Sequence, residues 1–327
     1  MENNIYSPKV SVVILNWNGG KYIHVCINSV LSQTYKTIEV ILVDNCSSDG
    51  SIQDCMENYK TIIFVVNQEN YGFAKGMNIG ISRASGEYIL LLNTDVCLRN
   101  DYIEKCIQVF KHDLSVGCVA GYEYLWTNGN FTTIKSFTGY YGLKKRLQIS
   151  ATTSLVDREY TFGVSGSFPM FSSSSIQDIM DSYAFFFDEK FETGWEDNDL
   201  RFRFIFRNWK TKIANTIAWH VGSASDAENK KLIDKSYNYQ VRIFRNRFFI
   251  QKKYISTLYP LWNIQLNILN LFIPIYYLFV NPVSAKAYIQ GYVLFKRNMK
   301  YLKQQQKITK ESICVDKKEL YKYLIGF

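Results

Sequence analysis

The chain has 327 residues, of which 47% are hydrophobic and 20% are charged, a composition that supports a large buried core and excludes a disordered chain. Its formal net charge is +9, but residues 242–327 contain 15 Lys/Arg and 3 Asp/Glu, whereas residues 1–241 contain 23 basic and 26 acidic side chains. The positive charge is therefore confined to the tail, and the sequence predicts no nucleic-acid partner.

The chain contains seven cysteines, and no two of them have the Cys-x-x-Cys spacing of a zinc or redox site. The first residues, Met-Glu-Asn-Asn, lack the basic start and the apolar run of a signal peptide. Both observations predict a protein of the reducing cytoplasm.

Apolar runs alternate with helical periodicity over the first 120 residues. Short runs rich in β-branched residues predict buried strands, and apolar residues three and four positions apart predict helices. This alternation predicts an α/β fold with a mainly parallel, Rossmann-like central sheet flanked by helices. The predicted strands are 10–16, 38–43, 62–66, 88–92 and 116–120, and the predicted helices are 21–34, 51–59, 73–83 and 102–110.

The pattern changes in the second half of the chain. Residues 123–188 predict short strands and Ser-rich turns, which are followed by a helix at 197–208 and a strand at 212–218. Beyond residue 228 the sequence is helical, aromatic and basic. We therefore predict one domain over residues 1–227 and a helical C-terminal extension over residues 228–327.

Polar residues cluster where the predicted strands end. Asn16-Trp17, Asp44-Asn45 and Asn93-Thr94-Asp95 each follow a buried strand. The carboxyl ends of parallel strands lie at one edge of a sheet, which is where such sheets bind ligands. Turn chemistry, which also favours Asn and Asp, is the alternative explanation.

Two of the segments that follow strands suit an anionic, ring-containing ligand. Asp44 can accept hydrogen bonds from a nucleobase, although the Ser and Asp residues after it also suit a helix N-cap. Gly72 and Asn78 belong to a predicted helix whose first amides would face an anion, and packing alone would explain Gly76 and Gly80. The Gly-x-Gly-x-x-Gly fingerprint and the Walker loop are both absent.

A candidate divalent-metal site follows the fourth strand. Asn93 and Asp95 supply oxygen ligands of the kind that Mg²⁺ and Mn²⁺ prefer against a diphosphate. An Asn-x-Asp pair also occurs in ordinary turns. His220 lies at the end of a later strand, where it is either a further metal ligand or a hydrogen-bonded loop histidine.

Three carboxylates and an indole lie together at the start of the helix predicted over 197–208. Glu196, Asp197 and Asp199 are close enough in sequence to raise one another's proton affinity, which suits one of them to act as a general base. Trp195 offers a flat apolar face to a sugar ring. Helix capping is the alternative, but capping usually needs one acid.

Six motifs in this order resemble glycosyltransferase family 2, and the closest likeness is to its rhamnosyltransferase-like branch. The resemblance extends from about residue 10 to residue 247. The motifs are Val-Val-Ile-Leu-Asn-Trp-Asn-Gly (12–19), Val-Asp-Asn-Cys-Ser-Ser-Asp-Gly-Ser (43–51), Asn-Tyr-Gly-Phe-Ala-Lys-Gly-Met-Asn-Ile-Gly (70–80), Leu-Leu-Asn-Thr-Asp (91–95), Glu-Asp-Asn-Asp-Leu (196–200) and Trp-His (219–220).

The resemblance implies a GT-A fold, with a donor half of about 8–122 and an acceptor half of about 123–227. It also implies an inverting transfer of one sugar from a nucleoside diphosphate sugar, with dTDP-rhamnose and UDP-sugars as candidates, to a glycan or polyprenyl-linked glycan. The implied donor-binding residues are Asn16, Trp17, Asp44, Asn45, Gly72, Asn78, Asn93 and Asp95.

The resemblance further implies a Mg²⁺ or Mn²⁺ ion held by Asp95 and His220. Asp197 would be the catalytic base, and Trp195, Glu196 and Asp199 would support it and the acceptor. Asn93 replaces the first acid of the family's usual Asp-x-Asp metal motif.

The tail contains the most apolar stretch of the chain, residues 258–280. Asn263, Asn267 and Asn270 share one helical face of this stretch, which predicts an amphipathic helix rather than a spanning one. Lysines on both sides of it suit an anionic leaflet. We expect peripheral contact with the cytoplasmic face of the membrane, with packing inside the protein or a dimer as the alternative.

Two other functions compete with sugar transfer. A nucleotidyltransferase shares the sheet architecture, but it would need a basic, Gly-rich loop after the first strand, which residues 16–21 imitate only in part. A non-catalytic scaffold on the same fold is the other alternative, and the intact acidic residues count against it.

Overall fold

The computed structural model describes residues 6–127, 130–135, 141–144, 148–151, 163–164, 166–221 and 231–316. The chain divides into two compact units. The first comprises residues 1–141, 151–178 and 209–224, and the second comprises residues 142–150, 179–208 and 225–327. Residues 179–208, which the sequence places in the first domain, thus group with the C-terminal helices.

The elements agree closely with the predicted ones up to residue 120. The strands are β1 (Val10–Asn16), β2 (Ile38–Asp44), β3 (Ile63–Val66), β4 (Tyr88–Asn93), β5 (Val96–Leu98), β6 (Val116–Thr127), β7 (Asn130–Lys135), β8 (Tyr141–Lys144), β9 (Gln148–Ala151), β10 (Met170–Ser172) and β11 (Lys210–His220).

Helices cover much of the rest of the described chain. They are α1 (Ile23–Leu31), α2 (Ser51–Asn58), α3 (Gly72–Ile81), α4 (Tyr102–His112), α5 (Ser173–Tyr183), α6 (Glu196–Phe206), α7 (Tyr237–Ile250), α8 (Ser256–Leu258), α9 (Pro260–Val280), α10 (Pro282–Arg297) and α11 (Met299–Ser312). A π-helical segment, Gln251–Ile255, joins α7 to α8.

The first unit is built on a mixed sheet of order β3-β2-β1-β4-β10-β6-β11-β5, with β7 paired to β6. The strands β3, β2, β1 and β4 are parallel, as the sequence predicts. The other half differs, because β10 runs antiparallel to both β4 and β6, and β5 runs antiparallel to β11. The strands β5 and β10 have three residues each, too few to show a periodicity in the sequence.

Parallel pairing aligns the polar ends of the buried strands. Asn16 lies opposite Asp44 in the register of β1 with β2, and Leu15 lies opposite Asn93 in the register of β1 with β4. Every residue of β1 except Leu15 is fully buried. The apolar bodies of these strands therefore fix the position of their polar termini.

Two glycines let α3 lie against the sheet. A Cβ atom at Gly80 would lie 2.2 Å from Val13 Cγ1, and one at Gly76 would lie 2.7 Å from Leu15 Cδ1. Both distances are far shorter than a van der Waals contact, so close packing accounts for these two glycines.

The second unit contains a buried network of charges. Lys253 Nζ donates to Asp188 Oδ2 at 2.9 Å and also to Asp199 Oδ1. Asp199 Oδ2 accepts from Arg203 Nε at 2.9 Å, and Asp199 Oδ1 accepts from the Tyr254 hydroxyl at 2.7 Å. Two cations thus balance two carboxylates, which is the condition under which buried charges are tolerated. The network links α6 to the π-helical segment.

We expect Lys253→Met to destabilise the chain by about 3–5 kcal/mol, because it leaves two buried carboxylates with one cation. Lys253 and Asp199 are at most 1% exposed. Urea denaturation followed by circular dichroism measures the effect. The matched control is Lys307→Met, at a position that is 78% exposed, and its midpoint should equal that of the wild type. Equal midpoints for both variants would contradict the network's role.

Candidate functional site

A buried amide–carboxylate pair lies at the aligned ends of β1 and β2. Asn16 Nδ2 donates to Asp44 Oδ1 at 2.7 Å and to Ser51 Oγ at 2.9 Å. Asp44 Oδ2 accepts from the backbone N–H of Ser47 at 2.9 Å. Both Asn16 and Asp44 are almost completely buried, whereas Trp17, the next residue, is 52% exposed. The buried pair is thus directly followed in sequence by an exposed indole.

A second amide joins this strand edge to the start of α3. Asn45 Nδ2 donates to the carbonyl of Gly72 at 2.9 Å, and its Oδ1 accepts from Asn67 Nδ2 at 2.8 Å. Gly72 adopts a left-handed backbone with φ of 78°, a conformation that glycine adopts without strain. Asn78 lies within α3, six residues further on, and is partly buried. Asn45 thus positions the N-terminus of α3.

Asp95, His220 and Glu123 form a hydrogen-bonded triad in the first unit. His220 Nε2 lies 3.3 Å from Asp95 Oδ2, and His220 Nδ1 lies 2.5 Å from Glu123 Oε1. Burial lowers the pKa of His220, but the hydrogen bonds with the two carboxylates outweigh it and raise the pKa to about 10. At neutral pH the imidazole is therefore protonated, with one N–H directed at Asp95 and the other at Glu123.

The sequence does not predict Glu123, because the predicted strand stops at residue 120 while β6 continues to Thr127. Glu123 lies opposite Ala218 in the register of β6 with β11, near the end where His220 lies. Its Oε2 is buried and has no hydrogen-bond partner in the part of the chain that the structure describes. The sequence would place Glu123 in this strand if the apolar alternation of residues 116–120 were extended beyond Gly121.

The triad contains side chains of the kinds that bind divalent cations. No group of three or more His, Cys, Asp and Glu side chains in the described ranges is arranged to enclose a metal ion. A carboxylate and an imidazole nevertheless suit a divalent cation that completes its coordination with phosphate oxygens and water. Asn93 is partly buried, and its Nδ2 lies 3.3 Å from Ser167 Oγ. Asp95 and His220 therefore suit an ion that also binds phosphate oxygens and water better than an ion enclosed by protein side chains alone.

The acidic cluster lies at the start of α6 in the second unit. Asp197 Oδ2 accepts from Arg201 Nη2 at 2.7 Å, and Asp197 Oδ1 accepts from the backbone N–H of Asn198 at 2.8 Å. Glu196 is buried, and its Oε2 has no hydrogen-bond partner among the described residues. Burial, and then the charge of Asp197, raise the pKa of Glu196 to about 8. At neutral pH Glu196 is therefore protonated.

The sequence suggests that the three carboxylates raise one another's proton affinity, but they do not all do so. Glu196 has a raised proton affinity, but Asp199 is bound by Lys253, Arg203 and Tyr254 in the buried network. Two cations offset the charge of Asp199, so this residue anchors α6 instead of raising the proton affinity of its neighbours.

A turn with two left-handed residues leads into α6. Gly194 has φ of 85° and Trp195 has φ of 73°. Asn246 Nδ2 donates to the carbonyl of Gly194 at 2.7 Å, which ties the turn to α7. The left-handed conformation costs a non-glycine residue about 1–2 kcal/mol. Packing around the turn therefore holds the half-buried Trp195 at the start of the helix.

Sequence comparison relates the first part of the chain to bacterial glycosyltransferases. GlyG of Streptococcus pneumoniae serotype 4 is 40% identical over 129 residues, which cover 38% of this chain and 43% of GlyG. TuaG of Bacillus subtilis, a glycosyltransferase assigned to teichuronic acid biosynthesis, is 31% identical over 164 residues, or 48% of this chain and 65% of TuaG. The matches thus span less than two thirds of either relative.

Two solved structures share the fold. The mannosyltransferase PcManGT from Pyrobaculum calidifontis superposes with a TM-score of 0.52 at 14% identity, over 94% of this chain and 86% of PcManGT. GalNAc-T7 superposes with a TM-score of 0.59 at 14% identity, over 76% of this chain and 48% of GalNAc-T7. These likenesses concern the fold alone, and they confirm the GT-A fold expected from the sequence.

The profile of one protein family covers most of the first unit. The family described as "Glycosyl transferase family 2" matches residues 11–180, which is more than half of the chain. The matched range includes Asn16, Asp44 and Asp95, the residues that lie at or just beyond the ends of β1, β2 and β4. This chain belongs to glycosyl transferase family 2.

Proposed function

We propose that this protein is an inverting glycosyltransferase that transfers one sugar from a nucleoside diphosphate sugar to a glycan or polyprenyl-linked glycan. The observation that carries the proposal is the buried Asn16–Asp44 pair, held at 2.7 Å at the aligned ends of two parallel strands in a family 2 domain. A role in polysaccharide synthesis is consistent with the relatives TuaG and the chondroitin synthase of Escherichia coli.

The donor nucleoside binds beside Asp44 in this proposal. Asp44 accepts hydrogen bonds from the base, Trp17 covers the ring with its exposed indole, and Asn16 keeps the carboxylate in place. Asn45 and Gly72 position the first turn of α3, whose N–H groups face the anionic part of the donor. Asn78 and Asn93 complete the donor-binding set.

Asp95 and His220 are the residues that would hold a divalent cation. The crystal structures of GalNAc-T7 and PcManGT each contain Mn²⁺ together with a nucleotide or nucleotide sugar. When bound, such an ion supplies positive charge to the departing diphosphate. His220 would bind an ion through Nε2, which faces Asp95, and would have to lose the proton on that nitrogen, while Nδ1–H could keep its bond to Glu123.

Asp197 acts as the base of a single displacement. Its carboxylate takes the proton of the acceptor hydroxyl while the acceptor oxygen bonds to the anomeric carbon, and the bond from that carbon to the diphosphate oxygen breaks. The products are the glycosylated acceptor and the nucleoside diphosphate. Arg201 must release Asp197 Oδ2, to which it donates at 2.7 Å, for this oxygen to accept the proton. Trp195 supports the acceptor sugar with its indole face.

A panel of nucleoside diphosphate sugars that includes dTDP-rhamnose and UDP-sugars tests the function. We expect the purified chain to bind one nucleotide and to hydrolyse or transfer its sugar in the presence of Mg²⁺ or Mn²⁺. Isothermal titration calorimetry measures binding, and release of the nucleoside diphosphate measures turnover. Binding of no nucleotide by the wild type would overturn the proposal.

Removing the cation should stop turnover. We expect EDTA to abolish activity and added Mn²⁺ to restore it, because the leaving diphosphate loses its counter-charge. Asp95→Asn should raise the Mn²⁺ concentration for half-maximal activity at least about tenfold. The control is Asp234→Asn, an exposed carboxylate whose loss should leave that concentration unchanged. Undiminished activity in EDTA would contradict the cation assignment.

Asp197→Asn should lower kcat by about 10²–10⁴ without changing the dissociation constant of the donor nucleotide, because only the proton acceptor is lost. Single-turnover kinetics measures the first quantity and calorimetry the second. Asp234→Asn, in the same unit, should match the wild type in both. A variant at position 197 with wild-type turnover would exclude Asp197 as the base.

Glu196→Gln should change how stability depends on pH. The pKa of Glu196 is about 8 in the folded chain against an ordinary value of 4.5, so the wild type loses stability as pH rises from 4.5 to about 8. The loss is at most about 1.4 kcal/mol per pH unit. The variant lacks this loss, so its stability relative to the wild type should increase across that window and stay constant above it.

Thermal melts of both proteins over this pH range measure the difference. Glu57→Gln, at an exposed position of α2, is the matched control and should parallel the wild type throughout. A constant difference between Glu196→Gln and the wild type would show that Glu196 is already ionised at low pH.

A further inference from the structure

The helix α9 turns an apolar surface away from the protein. Its 18-residue segment Asn263–Val280 has a mean hydropathy of 1.4, and only 6% of its positions are buried. Helix α10 continues the surface with four further exposed apolar side chains. The exposed residues of α9 are Leu261, Ile264, Ile268, Leu271, Phe272, Ile275, Tyr276, Leu278, Phe279 and Val280, and those of α10 are Val283, Ile289, Tyr292 and Val293.

Hydrogen bonds fix this orientation. Gln251 Nε2 donates to Asn263 Oδ1 at 3.0 Å and to Asn267 Oδ1 at 2.9 Å. Asn270 Nδ2 donates to Gln251 Oε1 at 2.9 Å, and Asn270 Oδ1 accepts from Arg247 Nη1 at 2.9 Å. The asparagines of α9 therefore face the α7 side of the unit, and rotating the helix to hide its apolar face would break these bonds.

The same bonds argue against a helix that crosses a bilayer. Three asparagine side chains would lie in hydrocarbon if α9 were surrounded by lipid, at a cost that their present partners avoid. Lying in the plane of the interface keeps the amides bonded and places only the apolar face in the lipid.

Positive charge surrounds this apolar surface. Residues 251–310 contain nine Lys/Arg and no Asp or Glu. Lys252 lies near Lys303 and Lys310, and burial together with these two charges lowers the pKa of Lys252. Lys303 and Lys310 are exposed. Three like charges held together are stabilised by an anion, such as a phosphate group, placed among them.

A cavity of about 770 Å³ lies between α9 and α10. Its lining includes Asn263 and Asn267 from the amide face of α9, Ile268 and Leu271 from its apolar side, and the ammonium-bearing Lys252 and Lys296. Apolar walls with cationic groups suit a molecule with an acyl chain and an anionic head.

We propose that the surface formed by α9 and α10 docks on the anionic lipids of a bilayer, with the apolar side chains inserted between the lipids and the lysines bound to their phosphates. A second copy of this chain is a poorer occupant, because pairing two such surfaces would bring their lysines together without acids to offset them. Docking on lipid does not require sugar transfer, and vesicle binding is measured without donor or acceptor. A negative result for one proposal therefore leaves the other standing.

Co-sedimentation of the full-length chain with vesicles tests the proposal. The wild type should sediment with phosphatidylcholine vesicles that contain phosphatidylglycerol, should bind pure phosphatidylcholine more weakly, and should lose binding as salt increases. The variant Leu271→Ser/Phe272→Ser/Phe279→Ser should bind at least about tenfold more weakly, because three inserted side chains are removed. Its control is Leu114→Ser, at a position of the first unit that is 85% exposed.

The charge contribution is tested separately. Lys252→Gln/Lys303→Gln/Lys310→Gln should weaken binding to the phosphatidylglycerol vesicles about tenfold or more. Three exposed lysines of the first unit provide the control Lys36→Gln/Lys60→Gln/Lys111→Gln, which should bind like the wild type.

Two results would overturn the proposal. One is a wild type that does not sediment with the phosphatidylglycerol vesicles. The other combines two observations: the wild type is a dimer and the serine variant a monomer in size-exclusion chromatography with light scattering, and the two proteins bind vesicles equally well. The surface would then be an interface between copies of the chain. Circular dichroism of each variant establishes that it is folded.

Discussion

The parallel pairing of β1 with β2 and β4 is the constraint on which the donor end depends. Most residues of the three strands are buried, so apolar packing sets their register, and the register brings Asn16 opposite Asp44 and Leu15 opposite Asn93. Gly76 and Gly80 allow α3 to approach the same strands, and Asn45 then bonds to the start of that helix. The apolar packing behind them thus positions the polar ends of these strands.

The second unit depends on charge where the first depends on apolar packing. Asp199 is buried with Lys253 and Arg203, and it occupies the first turn of α6, two residues after Asp197. The side chain that fixes the helix and the side chain assigned to proton transfer therefore lie in one short motif. The acids of this motif thus have different surroundings, since Asp199 is paired in the buried network and Asp197, the proposed base, is partly exposed.

Much of the fold follows from the sequence, and the failures have identifiable causes. The strands of the parallel half were predicted within two residues because each has a continuous apolar run, whereas β5 and β10 are too short to show one. Glu123 was missed because β6 extends beyond its apolar core. Arg203, one partner of Asp199, lies four residues on in the same helix, but the other, Lys253, lies 54 positions away, so no local pattern reveals this second partner.

The left-handed backbone at Trp195 lowers the folding stability of the chain relative to a glycine at this position. With φ of 73°, the position favours glycine on grounds of stability alone, and Gly194 before it already has that conformation. Retaining an indole there means that the chain gives up folding free energy for a large aromatic surface beside the acids. Redesign for thermal stability would select glycine at position 195 and remove the indole that we propose supports the acceptor sugar, so stability and turnover would pull this residue in opposite directions.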